Sequence, residues 1–385
     1  MDSARSQILA KPAAEQRRSL LYNTLPGEIR SQIFSFALTD YPDPDPERKY
    51  SADTCFARPS YFAPRRTDTE LLRTCRAIYK ECWHLPFLLR EQLYWITSPD
   101  RAPPEFGSSR PKLGEWVQKI AELQGEDRVI IEKLRVFAQM YKLEEGGMTS
   151  LLRTPHLQPR CITLTIRHAD WWFWEDDNPL SFKGAWIKDA CAVMPNTVSE
   201  IHVELESLER KKSQVDEIAK QMAQRWFFKR PDGGVLFADN RDGAAKIDRW
   251  TGTSTWHNRR WVRDETRDGE IEYYIATVSF RLGLTLERRG GLVGESAREN
   301  ATKDRYGSSL HLHIPEAVAM RFSQPSIWVD GSDDEFDMDS NDFISDWDDD
   351  EEPGSPVLES EETPVWWGIL YEDAQPAEDE QGSQQ

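Results

Sequence analysis

The chain has 385 residues, enough for two or three domains or for one large core with a tail. Its formal charge of −19 is local: 21 of the 67 acidic residues lie from Asp330 onward, no Lys or Arg follows Arg321, and the part before the tail is close to neutral. A near-neutral body with an anionic tail argues against nucleic acid as a partner, and no apolar run approaches the roughly 18 residues of a membrane span.

Residues 1–19 are polar and expected to be loose. "YNTLPGEIRSQIFSFAL" (22–38) starts a helix at Leu25-Pro26, because proline suits the first helical position. Leu25, Ile29, Ile33, Phe34, Ala37 and Leu38 recur at helical spacing and form one apolar stripe. The prolines of "TDYPDPDPERKY" end it, opening a Pro-rich insertion over 39–66. "TDTELLRTCRAIYKECWHL" (67–85) reads as the next helix, opened by a capping box from Thr67 to Glu70, with Leu71, Cys75, Ile78, Cys82 and Leu85 on one face. "FLLREQLYWI" (87–96) resumes the pattern as a third short helix, and 97–111 reads as a linker. Residues 112–123 and 126–139 are helical in pattern, though "LRVFAQMY" fits a strand equally well.

From about residue 160 the texture changes. "CITLTIRH" (161–168) and "SEIHVELESL" (199–208) alternate and are rich in β-branched residues, so they read as strands. Helical patterns at 182–194 and 213–228 follow them, giving a β-α-β-α run with parallel neighbours. After the turn "PDGG", the segments "GVLFADN", "AKIDRWTG" and "GEIEYYIATVSFRL" predict a β-meander on one edge, and "SLHLHI" (309–314) one more strand. The fold class is therefore α+β: a helical N-terminus over 20–96, a mixed sheet domain over 112–325, and an acidic tail over 330–385 whose charge density predicts disorder. The tail carries acid-flanked Ser332 and Ser345, a Ser355-Pro356 pair and the apolar island "PVWWGILY" (364–371).

No phosphate-binding loop, nucleophile elbow or metalloprotease helix occurs, and no catalytic residue, metal site or cofactor is expected. Five cysteines (Cys55, Cys75, Cys82, Cys161, Cys191), odd in number and without paired spacing, suit a reducing compartment, cytosol or nucleus. His311 and His313 could share one strand face, but no third ligand is in sight. "RHADWWFWEDD" (167–177) offers His168 and four carboxylates, for which a wet loop anchored by tryptophans is the simpler reading. Trp171, Trp172, Phe173 and Trp174 cannot all face one core, which makes Trp171, Trp172 and Trp174 candidates for a ligand or partner surface. "WHNRRWVRDETR" (256–267) interleaves aromatic and cationic side chains, the pattern of single-strand nucleic-acid binding.

The two opening motifs together resemble a group of fungal F-box-like proteins marked by Leu-Pro-x-Glu-Ile-Arg-x-x-Ile and Leu-Leu-x-Thr-Cys-Arg-x-Ile-Tyr-x-Glu. Leu25, Pro26, Glu28, Ile29, Arg30 and Ile33 match the first motif; Leu71, Leu72, Thr74, Cys75, Arg76, Ile78, Tyr79 and Glu81 match the second. The resemblance covers only about 22–96, and here the insertion 39–66 separates helices that an F-box joins by a short connection. It implies docking on the Skp-type adaptor of a cullin ubiquitin ligase through Leu25, Pro26, Ile29, Ile33, Leu71, Leu72, Cys75 and Ile78, with the later domain selecting a protein substrate. Two other classes are a nuclear scaffold acting through the acidic tail and an enzyme using the carboxylates and histidine of 168–177.

Overall fold

Strands between residues 92 and 282, most of them alternating apolar and polar residues, build one eight-stranded sheet. Its strands are β1 (Gln92–Ile96), β2 (Val129–Ala138), β3 (Leu157–Ile166), β4 (Glu200–Leu208), β5 (Phe227–Lys229), β6 (Val235–Ala238), β7 (Lys246–Thr253) and β8 (Glu270–Leu282). The order is β1-β2-β3-β4-β8-β6-β5, with β7 also paired to β8. The first four are parallel neighbours, and β8, β6, β5 and β7 add antiparallel pairs. The computed structural model describes residues 4–59, 61–106, 109–256, 259–314 and 329–330. The acidic tail with its serines and the island at 364–371 lies outside the described residues, save Asp330 itself.

Register explains the two faces. Leu134, Val136, Ile162, Leu164, Val203, Leu205, Ala276 and Val278 point to one side and are buried. Helices supply the matching stripes: Leu113, Val117, Ile120 and Ala121 from Ser109–Gln124, and Val215, Ile218, Ala219 and Met222 from Lys212–Arg225. Each such side chain removed from water contributes about 1.5–3 kcal/mol, so this layer supplies most of the driving force. The opposite face carries Lys133, Arg135, Cys161, Thr163, Thr165, His202, Glu204, Thr277, Ser279 and Arg281, and is polar.

Several segments differ from the sequence reading. The N-terminus forms a helix, Ala4–Ala10, whose Arg5 lies over Trp83 at 4.9 Å and Trp116 at 5.0 Å. The stretch 67–85 is two helices, Glu70–Thr74 and Arg76–Cys82, broken where Cys75 is fully extended. Asp68 accepts from the Glu70 N–H at 2.9 Å, taking the capping role expected of Thr67. The third helix is only Leu85–Leu89; "QLYWI" leaves it to pair with β2, which its aromatic and β-branched side chains favour. Residues 129–138 are a strand and not the helix expected over 126–139, because pairing with β1 and β3 decides it. Leu312–His313 pairs with Ser181–Phe182 rather than with the main sheet.

The insertion 39–66 is closed at its base by antiparallel pairing of Asp40–Pro42 with Arg65–Thr67. Between these ends Phe56, Ala57, Arg58, Tyr61 and Ala63 are buried. Phe56 and Tyr61 join Trp95, Ala102 and Phe137 in a cluster of their own, so the segment read as a linker, 97–111, is packed as well at Ala102. The regions separated in the sequence reading, 20–96 and 112–325, belong to one compact unit ending at Val329.

The approach of 181–184 to 307–313 is close enough to specify glycine. A Cβ at Gly184 would meet the Leu310 carbonyl oxygen at 2.6 Å, and that oxygen already accepts from Trp226 Nε1 at 2.6 Å. Gly184→Ala should lower unfolding free energy by about 1–3 kcal/mol, the usual cost of overpacking. Urea unfolding followed by tryptophan fluorescence measures it; an unchanged midpoint would show that the contact gives way freely.

Candidate functional site

Two places collect the residues singled out by sequence. The first is the helix Gly27–Ala37, which begins directly after Pro26. Phe34 and Leu38 point inward and are fully buried with Leu72, Ile78 and Cys82. Ile29, Ile33 and Phe36, spaced by four and three residues, line the outward face at 41%, 41% and 82% exposure. Leu20, just upstream, is 78% exposed. The single stripe expected from the sequence is therefore two faces, one anchored and one bare.

Arg30 joins the two motifs. Its Nε donates to Glu81 at 3.2 Å, its Nη1 to the Leu25 carbonyl at 2.9 Å, and its guanidinium lies 4.8 Å from the Tyr22 ring. The eight expected docking residues accordingly divide. Pro26, Ile29 and Ile33 are exposed and Leu25 is half-buried. Leu72 and Ile78 are core, and Leu71 and Cys75 pack against them, so the second motif faces the protein's own interior. Phe36 completes the outward face, and the periodicity of 29, 33 and 36 could have found it.

The second place is built where 167–177 meets 256–267. Trp171 is buried, with Nε1 donating to the Glu206 carbonyl at 2.8 Å. Trp174 is buried 4.7 Å from Trp261 and 5.7 Å from Trp256, ring to ring. Trp172 is half-buried and donates to Glu144 at 2.9 Å. Only Phe173 is freely exposed, turned outward at a positive φ of 52°. The aromatic run is thus mostly core, and Trp171 and Trp174 offer no outer surface; left-handed turns at Phe173 and Asp177 let the tryptophans fold inward.

His168 sits at the centre, 5.4 Å from Trp174, with neither ring nitrogen hydrogen-bonded and Asp264 at 3.9 Å. Burial pushes its pKa down, which keeps the imidazole neutral. Burial alone would raise Asp264, but the guanidiniums of Arg263 and Arg210 outweigh it and hold the carboxyl well below the usual range. Arg210 and Arg263 reach it at 2.6 and 2.9 Å. The carboxylates near His168 do not gather: Asp170 is bound to Arg167, Asp177 to Arg210 and Lys211, and Glu175 and Asp176 are exposed. A cavity of about 400 Å³ opens beside His168, lined by Arg58, Glu206, Trp250, Trp256 and Tyr273. Within 256–267, Arg260 is paired with Glu265 and Asp268, and Arg263 with Asp264, so these cations already have internal anions.

On the polar face of the sheet a groove of about 940 Å³ is lined by Arg135, Cys161, His202 and Glu204 among others. Cys161, Glu200 and His202 place their ligand atoms within 4.8 Å of one another, the one such three-residue grouping among the described residues. His311 and His313 have no part in it; His311 ends a 3-10 turn and only His313 is in strand.

No family model matches this chain, and neither a curated protein nor a solved structure matches it.

The neutral, buried His168 has a consequence for pH. The unfolded chain takes up a proton near a pKa of about 6.5 that the folded one refuses. Stability is therefore full above that pH and falls as the pH drops toward the depressed folded value. Burial shifts His84 and His202 the same way. His168→Gln should reduce the slope of unfolding free energy between about pH 7 and 5 by up to roughly 1.4 kcal/mol per pH unit. Urea titrations at stepped pH measure it, and an unaltered slope would mean that His168 titrates normally.

Proposed function

We propose that this chain is a non-enzymatic adaptor whose Gly27–Ala37 helix docks on the Skp-type adaptor of a cullin ubiquitin ligase, while the sheet domain engages a protein substrate. The observation that carries the reading is the outward stripe of Ile29, Ile33 and Phe36 on a helix anchored from behind by Phe34 and Leu38. A helix that needed only to cap the core would gain nothing from three bulky apolar side chains in water, whereas a partner groove takes i, i+4, i+7 anchors. The resemblance of 22–38 and 71–81 to F-box-like motifs names the partner. The packing of the second motif gives that resemblance a division of labour: Leu72 and Ile78 hold the docking helix, and Ile29 and Ile33 contact the adaptor.

Because the helices pack into the same compact unit as the sheet, the full chain is the right test material. In a pull-down with purified Skp-type adaptor, the wild type should bind. Ile33→Asp with Phe36→Asp should weaken binding at least about 30-fold, as expected when hot-spot anchors worth about 2 kcal/mol or more are lost. The melting temperature should stay within a degree or two, since both positions are exposed. Phe34→Ala is the contrast, expected to cost about 3–5 kcal/mol of stability. Failure of the wild type to bind, or equal binding by the double variant, would end the docking proposal.

A further inference from the structure

The groove on the polar face holds chemistry that the adaptor reading does not use. Cys161 lies on β3 and Glu200 on β4, directly paired in register, and His202 follows two residues later on the same side. The three come from the centre of a hydrogen-bonded sheet rather than from loops, so their Cα positions are set by the ladder. Their ligand atoms lie within 4.8 Å of one another. Tetrahedral zinc with bonds of about 2.0–2.3 Å needs ligand atoms about 3.4–3.8 Å apart, a closure of little more than about 1 Å by side-chain rotation.

The neighbouring strand orients the ligands. Ser279 on β8 stands opposite His202 and lies 2.8 Å from its Nδ1, while Nε2 is 3.6 Å from Glu200 Oε1. Arg281, opposite Glu200, is paired with the same carboxylate. A hydrogen bond on the far ring nitrogen and a held carboxylate are the outer-shell supports that metal ligands use. A thiol, an imidazole and a carboxylate form a donor set for a zinc-class ion, being too soft for magnesium or calcium. Cys161 and His202 both line the groove, which can supply a fourth ligand such as water.

We propose that Cys161, Glu200 and His202 bind one zinc-class divalent cation in this groove, with Ser279 as the positioning residue for His202. The inference goes beyond the docking reading and does not rest on it.

The test titrates Co²⁺, and Zn²⁺ in competition, into the reduced full-length chain. One equivalent of Co²⁺ should produce a thiolate-to-cobalt charge-transfer band that Zn²⁺ abolishes. Cys161→Ser should remove the band, which separates this site from the four other cysteines. His202→Ala should weaken binding more than tenfold. Ser279→Ala should weaken it about tenfold while keeping the band, the usual size of an outer-shell effect. Melting curves without metal check that each variant folds, and Glu200→Gln, close in shape, replaces any that does not and should likewise weaken binding more than tenfold. Absence of the band in the wild type, its survival in Cys161→Ser, or undiminished affinity in His202→Ala or Glu200→Gln would overturn the proposal.

Discussion

Arg167 is the point to which the polar half of the structure is tied. Its guanidinium donates to Asp170 through Nε at 2.6 Å and Nη2 at 2.9 Å, and through Nη1 to the carbonyls of Cys55 at 3.1 Å and Arg101 at 3.0 Å. Trp95 and Phe137 lie against it at 5.1 and 5.6 Å. One side chain at the end of β3 thus binds the insertion, the 97–106 segment and the following turn together. Arg58 and Arg135 repeat the device: Arg58 reaches back from the insertion to Glu206, and Arg135 holds Glu204 and Thr165 beneath the ring of Tyr61. Such buried pairs add little net stability over well-packed apolar residues, because desolvation offsets most of the Coulomb gain. What they impose is position: a misplaced insertion would leave Arg58 and Glu206 unpaired, at a cost of several kcal/mol, and would take the Cys55 carbonyl from Arg167.

That constraint explains why the sheet can afford one polar face. The helices cover the apolar side and supply the driving force, while the opposite side is closed at one end by the arginine-bound insertion and left as an open groove at the other. The aromatic stretches obey the same economy. Trp174 and Trp256 come from two distant segments and lie against His168, with Trp261 packed on both, while Arg210 and Arg263 neutralise the Asp264 buried beside it. A cluster that reads as a binding surface in one dimension is largely core in three, because Trp171, Trp174 and Trp256 are buried and Arg263 is paired with Asp264.

Legibility in the sequence followed the range of the interaction. The strands at 161–168 and 199–208 and the helix at 213–228 announce themselves by local periodicity, and the structure places β3, β4 and Lys212–Arg225 there within a few residues. Local pattern failed wherever a distant segment decided. "LYWI" is apolar enough for a helix or a strand, and pairing with β2 settles it. Cys75 carries no breaker signature, yet the chain is extended there. The prolines of 39–50 are expected to exclude helix and sheet ladder, yet Asp40–Pro42 pairs with Arg65–Thr67, and nothing local shows that Arg58 and Tyr61 dock on the sheet. The outward stripe at Ile29, Ile33 and Phe36 was half visible: the helix was evident, but its two faces merged because Phe34 and Leu38 sit beside Ile33 in sequence.

The insertion also bears on how the two opening motifs act together. Some 28 residues between two helices would ordinarily let them drift apart. Here the pairing of Asp40–Pro42 with Arg65–Thr67 closes the loop at its base, so the chain leaves and re-enters the helical cluster at neighbouring points. Leu38, at the end of one helix, and Leu72, in the next, consequently share a core with Phe34 and Ile78. The bulk of the insertion is carried away to Glu206 and Arg167, leaving Ile29, Ile33 and Phe36 uncovered. The proposed docking face therefore does not require a short connection; it requires that the long one be held elsewhere, and the buried arginines hold it.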